Sequence, residues 1–145
     1  MSDRLYPPRP ILAASIAVFR ERRVLLARRG NAPLKGRYSL PGGVVEIGET
    51  LREAALRELM EEVGVEADIV AFNDHIESIV RGADGVESHY VIATFAAIWT
   101  RGEPRVSAEA DSVLWAGEED LALLPTTPGL AQIVARAGGL VETAR

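Results

Sequence analysis

The chain has 145 residues, of which 48% are apolar, and its formal net charge at pH 7 is -5. This length and composition suit one domain with a hydrophobic core, and the negative charge argues against binding of a nucleic acid polymer. Cysteine is absent, which excludes disulfides, thiolate zinc sites and cysteine nucleophiles and fits a reducing, cytoplasmic location.

The N-terminal part of the chain predicts a flexible arm followed by a β-hairpin. Residues 1–10 contain three prolines, which cannot donate backbone hydrogen bonds, so we predict the arm here and a single domain over residues 11–145. The apolar run at 11–19 is shorter than the roughly 20 residues of a bilayer span. We therefore expect a buried strand and no membrane association. Residues 24–27 form a second β-prone run behind a polar turn at 20–23.

Two adjacent glycines come after a predicted loop at residues 30–37. Gly42 and Gly43 separate short apolar pieces at 38–40 and 44–46, and glycine permits backbone angles that other residues avoid. We therefore expect a sharp turn that lets the backbone approach a ligand closely, with the Gly42 or Gly43 carbonyl available to a cation.

A helix beginning after Thr50 is the clearest local prediction. Thr50 and Glu53 form a capping-box pattern, and Gly64 suits the left-handed residue that ends a helix. Advancing by ~100° per residue places three apolar side chains on one arc, with Glu58 and Glu62 at its edge. The arc is formed by Ala55, Leu59 and Val63. The two carboxylates are therefore expected to border the buried side of the helix.

The second half of the chain predicts further strands and two helical segments. Strands are expected at residues 67–72, 75–80, 88–99 and 113–116, with a turn at 82–85, a polar loop at 100–111, and helical segments at 118–124 and 128–137. Strands interleaved with helices indicate a mixed sheet covered by helices, an α/β or α+β arrangement.

Three glutamates crowd the last turns of the predicted helix. Glu58 and Glu62 are four residues apart and Glu61 is three residues from Glu58, so their side chains can converge, and like charges at this spacing destabilise a helix unless a cation compensates them. Mg²⁺ or Mn²⁺ would do so, because hard cations prefer oxygen ligands and Mg²⁺ is commonly completed by substrate phosphates. The alternative is a solvated acidic face, which we prefer for Glu53.

The residues around this helix resemble the signature of the Nudix hydrolases. That signature reads Gly, five residues, Glu, seven residues, Arg-Glu-aliphatic-any-Glu-Glu-any-Gly-aliphatic, and this chain matches every fixed position. The matching residues are Gly43, Glu49, Arg57, Glu58, Leu59, Glu61, Glu62, Gly64 and Val65. The resemblance extends to residues 25–29, 40–43 and 102–104, and it covers roughly the whole chain from residue 11.

The resemblance implies a Nudix-type α/β/α sandwich with a central mixed sheet. It also implies Mg²⁺-dependent hydrolysis, with Mn²⁺ as a substitute, of a nucleoside diphosphate linked to another group X. The products would be a nucleoside monophosphate and phosphorylated X. The expected partner is a small nucleotide-type substrate, and because family members are often dimers, a homodimer stays open.

The same resemblance implies roles for residues of the motif. Glu58 and Glu62 are expected to bind metal, and Glu61 is either a third ligand or the general base. Arg57 is expected to orient carboxylates by pairing with Glu49 rather than by touching the substrate.

Further expectations concern residues outside the motif. Glu109, which precedes Trp115, resembles a metal-linked glutamate of some triphosphate-cleaving relatives, with a solvated loop glutamate as the alternative. Arg28 or Arg29 ends a strand near the site and is expected to bind phosphate by charge-assisted hydrogen bonds, with a solvated arginine as the alternative. Gly42 is expected to lie against the substrate.

A nucleoside triphosphate or a nucleotide sugar is the leading substrate class. An ADP-ribose or ADP-sugar pyrophosphatase is the alternative, and it is less favoured because this chain has Val80 where such relatives often carry proline. Relatives that clear oxidised guanine nucleotides can carry an asparagine near the last helix. This chain has Thr126 and Thr127 in that region, so the sequence does not favour oxidised guanine nucleotides as substrates. A catalytically silent module that binds a nucleotide is a further alternative, although no motif glutamate is missing. A prenyl diphosphate isomerase is set aside, since its metal-dependent form relies on cysteine.

Overall fold

The computed structural model describes residues 4–31 and 34–144. Within these ranges the chain forms seven strands and three helices. They are β1 (Ile11–Arg20), β2 (Arg23–Arg29), β3 (Tyr38–Ser39), β4 (Gly42–Val44), α1 (Leu51–Val63), β5 (Glu66–Gly82), β6 (Gly85–Arg101), β7 (Ala110–Ala116), α2 (Glu118–Leu121) and α3 (Leu130–Ala144). Predictions made for residues 1–3, 32–33 and 145 lie outside the described residues.

The strands form one mixed sheet. Its main order is β3-β2-β1-β6-β5, while β4 pairs with β1 and β7 pairs with β2. β1 and β6 run parallel, with residues 11–19 opposite residues 90–98. The other strand pairs of the described chain are antiparallel. The predicted central mixed sheet is thus confirmed.

Two hydrophobic layers separate the sheet from helices on its opposite faces. β1 contributes to both layers, because successive side chains of a strand point to opposite faces. Ile16 belongs to the layer that includes Leu59 of α1, whereas Ala17 belongs to the layer that includes Val134 of α3. This helix-sheet-helix packing confirms the predicted α/β/α sandwich.

α1 begins and ends where its capping residues predict. The Thr50 hydroxyl accepts a hydrogen bond from the Glu53 N–H at 3.1 Å, and Glu53 Oε1 accepts one from the Thr50 N–H at 2.8 Å. Gly64 has a φ of 73°, and its N–H donates to the Met60 carbonyl. Polar groups at both ends of α1 therefore find partners within the chain, which fixes where the helix begins and ends.

β5 differs from the sequence prediction because it is one strand. The segments predicted as two strands at 67–72 and 75–80 are continuous, with register shifts between Ile69 and Ala71 and between Phe72 and Asp74. Such irregularities add residues on one side of a strand pair and interrupt the alternation of side chains. The sequence therefore resembles two short strands.

α3 and β7 are both longer than predicted. α3 runs from Leu130 to Ala144 and passes through two glycines, because Val141 beyond them is buried in the layer between α3 and the sheet. β7 begins at Ala110 rather than at residue 113, and Ala110 is buried and pairs with Arg29. Packing against the core extends both elements beyond their local signals.

The segment before β1 contacts the far end of the β5–β6 hairpin. The Tyr6 N–H donates to the Glu87 carbonyl at 2.8 Å. The flexibility expected of this segment stays a prediction. Within the described ranges, every helix is too short or too polar to cross a membrane.

Candidate active site

β4 places two glycines directly beside α1. Gly42 pairs with Ser15 and Gly43 with Ala14, so both lie in extended backbone, and the expected unusual backbone angles are wrong. A Cβ on Gly42 would overlap the Ala14 carbonyl and Ser15, and a Cβ on Gly43 would overlap the Glu58 carboxylate. Glycine is therefore needed at both positions for close approach.

Glu58 and Glu62 lie at the edge of the apolar arc of α1, as predicted, and are only 8% and 9% exposed. The Gly42 N–H donates to Glu62 Oε2 at 3.1 Å, and Arg57 Nη1 donates to Glu58 Oε2 at 3.0 Å. Glu58 Oε1 is buried and has no hydrogen-bond partner among the described residues. A buried carboxylate oxygen without a partner is unfavourable when ionised, so this pair suits a bound cation.

Burial raises the pKa of both carboxyl groups. The pKa of Glu62 rises to about 7, chiefly through burial and further through the negative charges of Glu109 and Glu58. A backbone N–H and the charge of Arg29 oppose this rise. Burial also raises the pKa of Glu58, against the hydrogen bond and charge of Arg57. Ionising the two glutamates is therefore costly unless a cation binds.

Arg57 holds the turn before α1 against the helix. Its Nε and Nη2 donate to the two carboxylate oxygens of Glu49, and Nη2 also donates to the Val44 carbonyl at 3.1 Å. The hydrogen bond from Arg57 and one from the Glu46 N–H lower the pKa of Glu49 to about 2. The same pairing raises the pKa of Arg57. Arg57 and Glu49 thus lie together, as expected, and their part in catalysis stays a prediction.

Glu61 does not join the two buried carboxylates. Its side chain is 55% exposed and accepts from Arg57 Nη1 at 3.2 Å. Among residues 4–31 and 34–144, no three His, Cys, Asp or Glu side chains are grouped closely enough to hold a metal ion. The expected convergence of the three glutamates is therefore absent from the described residues, because Glu61 follows Arg57 by one helical turn and pairs with it.

Glu109 and Arg29 lie near the buried pair, but Arg28 is held elsewhere. The charge of Glu109 raises the pKa of Glu58 and of Glu62, and the charge of Arg29 lowers the pKa of Glu62. Arg28 Nε instead donates to Asp111 Oδ1 at 2.6 Å, which raises the pKa of Arg28. Arg29 is therefore the better placed of the two arginines for the phosphate contact that the sequence predicts.

A divalent cation fits the donor set at this site. Glu58 has a buried oxygen without a partner in the described chain, Glu62 follows it by one helical turn, and the negative charge of Glu109 acts on both carboxyl groups. Hard oxygen donors of this kind suit Mg²⁺ and Mn²⁺. Gly43, whose carbonyl was expected to contribute, forms the surface against which the Glu58 carboxylate packs.

Sequence reasoning missed the residues that hold Glu109. The Ser107 hydroxyl accepts from the N–H groups of Glu109 and Ala110, and the Gly30 N–H donates to the Glu109 carbonyl. A serine shortly before a strand commonly makes such local contacts, so the pattern around Ser107 could have indicated the first two. The Gly30 contact joins distant parts of the chain and has no local signal.

Comparison with known proteins relates this site to characterised sequences. A model of the NUDIX domain matches residues 9–137. An ADP-ribose pyrophosphatase of Methanocaldococcus jannaschii is 45% identical over 56 residues, which cover 39% of this chain and 33% of that protein. A putative 8-oxo-dGTP diphosphatase 2 of Mycobacterium tuberculosis is 48% identical over 61 residues, which cover 41% of this chain and 43% of that protein. The chain thus matches less than half the length of either relative.

A solved structure extends the similarity to most of the fold. The crystal structure of a MutT NUDIX hydrolase from Burkholderia pseudomallei superimposes with a TM-score of 0.77 and 28% sequence identity. The superposition covers 88% of this chain and 98% of that one.

Proposed function

The chain belongs to the Nudix hydrolase family, and we propose that it cleaves the diphosphate bond of a nucleoside diphosphate linked to another group X. The products are a nucleoside monophosphate and phosphorylated X. The proposed cofactor is Mg²⁺, with Mn²⁺ as a substitute. The proposed substrate is a nucleoside triphosphate or a nucleotide sugar.

The buried pair Glu58 and Glu62 is the observation that carries this proposal. Both side chains are almost fully buried, one oxygen of Glu58 lacks a partner within the described chain, and the pKa of Glu62 is raised to about 7. An ordinary structural carboxylate would be paired or solvated. Two buried glutamates that lack full compensation of their charge, packed beside the glycines of β4, fit a site that binds a cation together with an anionic substrate.

Glu58, Glu62 and Glu109 are the residues proposed to hold the metal. When bound, the metal neutralises charge on the phosphoryl oxygens and lowers the pKa of the attacking water. The Gly42 N–H orients Glu62 through its hydrogen bond to Oε2. Gly42 itself is proposed to lie against the substrate, and Gly43 leaves room for the Glu58 carboxylate.

Three other side chains are proposed to support the reaction. Arg29, whose charge acts on Glu62, would bind a substrate phosphate by charge-assisted hydrogen bonds. Glu61 is proposed as the general base, because more than half of its side chain is exposed where water can reach it. Arg57 positions Glu58 and Glu61 and ties both to Glu49.

ADP-ribose is the second candidate substrate. It is favoured by the ADP-ribose pyrophosphatase of M. jannaschii, which is 45% identical over the matched 56 residues. The M. tuberculosis relative named for 8-oxo-dGTP instead supports the triphosphate class. A silent nucleotide-binding module is less well supported, because every motif glutamate is present. The cytoplasmic location and a homodimer stay predictions.

A substrate panel with Mg²⁺ tests the proposed function. Nucleoside triphosphates, nucleotide sugars, ADP-ribose and dinucleotide polyphosphates are incubated with the protein, and nucleoside monophosphate is measured by chromatography. At least one class should be cleaved in the presence of Mg²⁺ and not in EDTA. Nucleotide binding without cleavage of any compound, with Mg²⁺ or with Mn²⁺, would replace this proposal by the silent module.

Two variants make the panel specific to the buried pair. Glu62→Gln should lower kcat/KM by more than about 100-fold, since losing even an outer partner of a metal site typically costs 10- to 100-fold. Glu66→Gln, at an exposed position beyond the helix, is the matched control and should keep the parental rate. Equal rates for Glu62→Gln and the parent would contradict the role of Glu62.

A further inference from the structure

We propose that Ser107 is a positioning residue that, together with Gly30, holds the Glu109 carboxylate beside Glu58 and Glu62. The inference rests on the proposed function only in assigning Glu109 to the same metal site. It adds two residues outside the Nudix motif to the machinery of that site.

The backbone of Glu109 is held on both sides. Its N–H donates to Ser107 Oγ at 3.3 Å, and its carbonyl accepts from the Gly30 N–H at 3.1 Å. The next residue closes the same turn, because the Ala110 N–H also donates to Ser107 Oγ at 3.3 Å while the Ala110 carbonyl accepts from the Ser107 N–H at 2.9 Å. One serine hydroxyl thus serves two backbone donors at the start of β7.

Burial of the neighbouring residue fixes the direction in which this turn faces. Ala110 is fully buried and belongs to the hydrophobic layer that contains Ala54, Ala55 and Leu59 of α1. Glu109 therefore leaves the core at the side of α1 where the buried Glu58 and Glu62 lie at the edge of the apolar arc. Its negative charge acts on both carboxyl groups, as expected from this placement.

A β-bulge next to Glu109 explains why Arg28 is part of this arrangement. Arg28 pairs with Ser112 and Arg29 with Ala110, so Asp111 is the additional residue of β7. Arg28 Nε donates to the Asp111 carboxylate at 2.6 Å. Arg28 therefore supports the bulge that brings Glu109 to the site. Because its guanidinium pairs with Asp111, Arg28 is less available than Arg29 for the expected phosphate contact.

Gly30 leaves room for the loop to come this close. A Cβ at Gly30 would lie 3.2 Å from the Ala108 carbonyl oxygen and 3.6 Å from the Glu109 carbonyl oxygen. An alanine here would push the backbone of residues 108 and 109 outward by a few tenths of an ångström. A glutamate on an ordered backbone needs less rearrangement to bind a cation than one on a loose loop, because fewer freely rotating bonds must be fixed.

The test is Mn²⁺ binding to the full chain by calorimetry, without nucleotide. We expect Ser107→Ala and Glu109→Gln each to weaken Mn²⁺ binding by about tenfold, the scale typical of residues that orient metal ligands. Because Ser107 acts through Glu109, the double variant should bind no more weakly than Glu109→Gln alone. Ser107→Thr keeps the hydroxyl and should restore the parental affinity.

Two further variants guard against a general folding defect. Ser112→Ala removes another hydrogen-bonded hydroxyl from β7, one that contacts Tyr38, and should leave Mn²⁺ affinity unchanged. Gly30→Ala reaches Glu109 by a separate contact and should weaken Mn²⁺ binding in the parent but not in Glu109→Gln. If Ser107→Ala fails to fold, Gly30→Ala and the Ser107→Thr comparison still decide the matter.

Three outcomes would overturn the inference. They are an unchanged Mn²⁺ affinity in Glu109→Gln, an unchanged affinity in Ser107→Ala when Glu109→Gln weakens binding, and fully additive losses in the double variant. An unchanged Mn²⁺ affinity in Glu109→Gln would also remove Glu109 from the proposed metal ligands, but the proposed cleavage depends on the activity of the parent and its loss in Glu62→Gln. The two claims therefore fail separately.

Discussion

Two sets of glutamates on either side of Arg57 have opposite electrostatic surroundings. In the turn before α1, Glu49 accepts from Arg57 and from the Glu46 N–H, and its pKa falls to about 2. In the last turns of α1, burial raises the pKa of Glu62 to about 7. The residue type is the same, and the difference arises entirely from solvation and partners.

This difference separates a carboxylate that is paired within the chain from one that is proposed to bind a metal. Glu49 has its opposite charge within the chain and helps to hold the turn to the helix. The charges of Glu58 and Glu109 add to the effect of burial on Glu62, and among the described residues only the Gly42 N–H and the charge of Arg29 oppose the rise of its pKa. Ionised Glu62 lacks a full set of compensating charges within the described chain, and under the proposed function a divalent cation would compensate it.

Removing the carboxylate of Glu62 should have the largest effect on the metal-free protein. The folded pKa of about 7 lies above the ordinary value of 4.5, so the unfolded chain releases this proton first and stability falls as pH rises between these values. The fall is on the order of 3 kcal/mol. Glu62→Gln should remove this share of the fall and leave only the smaller contribution of other groups such as Glu58, as measured by urea unfolding in EDTA across this pH range.

The control for this pH series is Glu61→Gln, which changes a half-exposed carboxylate on the same helix. It should keep the parental dependence of stability on pH. Parallel curves for Glu62→Gln and the parent would mean that the buried carboxyl is not the source of the fall, and the contrast with Glu49 would lose its basis.

Weakening the ion pair between Arg57 and Glu49 should have the next largest effect, and this effect should be on catalysis. Arg57→Lys keeps the charge but loses the planar fork that contacts Glu49, Val44 and Glu58 together. We expect a folded protein whose kcat is lower by roughly 100-fold, measured as nucleoside monophosphate release. Arg52→Lys, on the same helix near Phe95, is the matched control; a parental kcat in both variants would exclude the positioning role of Arg57.

Removing the capping side chain of α1 should have the smallest effect of these changes. Thr50→Ala removes the side-chain acceptor of the capping box and should lower the free energy of unfolding by about 1 kcal/mol, without changing KM. Thr50→Ser should retain most of the stability in the same denaturation experiment. A large change in KM would show that the cap shapes the site as well as the helix.

Sequence patterns predicted α1 well because every relevant signal is local. The capping box, the terminal Gly64 and the arc of Ala55, Leu59 and Val63 lie within one short segment, and the burial of Glu58 and Glu62 follows from helical geometry alone. The mixed sheet and its covering helices also followed from the order of strands and helices.

The features that local sequence signals did not indicate mostly depend on contacts between distant residues. Arg28 carries the same local signal as Arg29, and Asp111, which pairs with it, is supplied by a bulge in another strand. A phosphate contact by Arg28 stays a prediction. Register shifts in β5 interrupt its alternating pattern, so the sequence predicts two strands instead of one. Packing of Val141 against the core extends α3 beyond its two glycines. Gly42 and Gly43 were correctly singled out, but close approach to β1 and to Glu58, rather than backbone angle, explains them.

Thermal unfolding of the parent and of Glu62→Gln at neutral pH, in EDTA and in Mn²⁺, tests the central claim most directly. Without metal, Glu62→Gln should unfold at a higher temperature than the parent, because it lacks the buried Glu62 carboxyl that ionises near neutral pH. Mn²⁺ should raise the unfolding temperature of the parent through preferential binding to the folded state and leave that of Glu62→Gln nearly unchanged. An equal Mn²⁺-induced increase in both proteins, or none in the parent, would contradict the account.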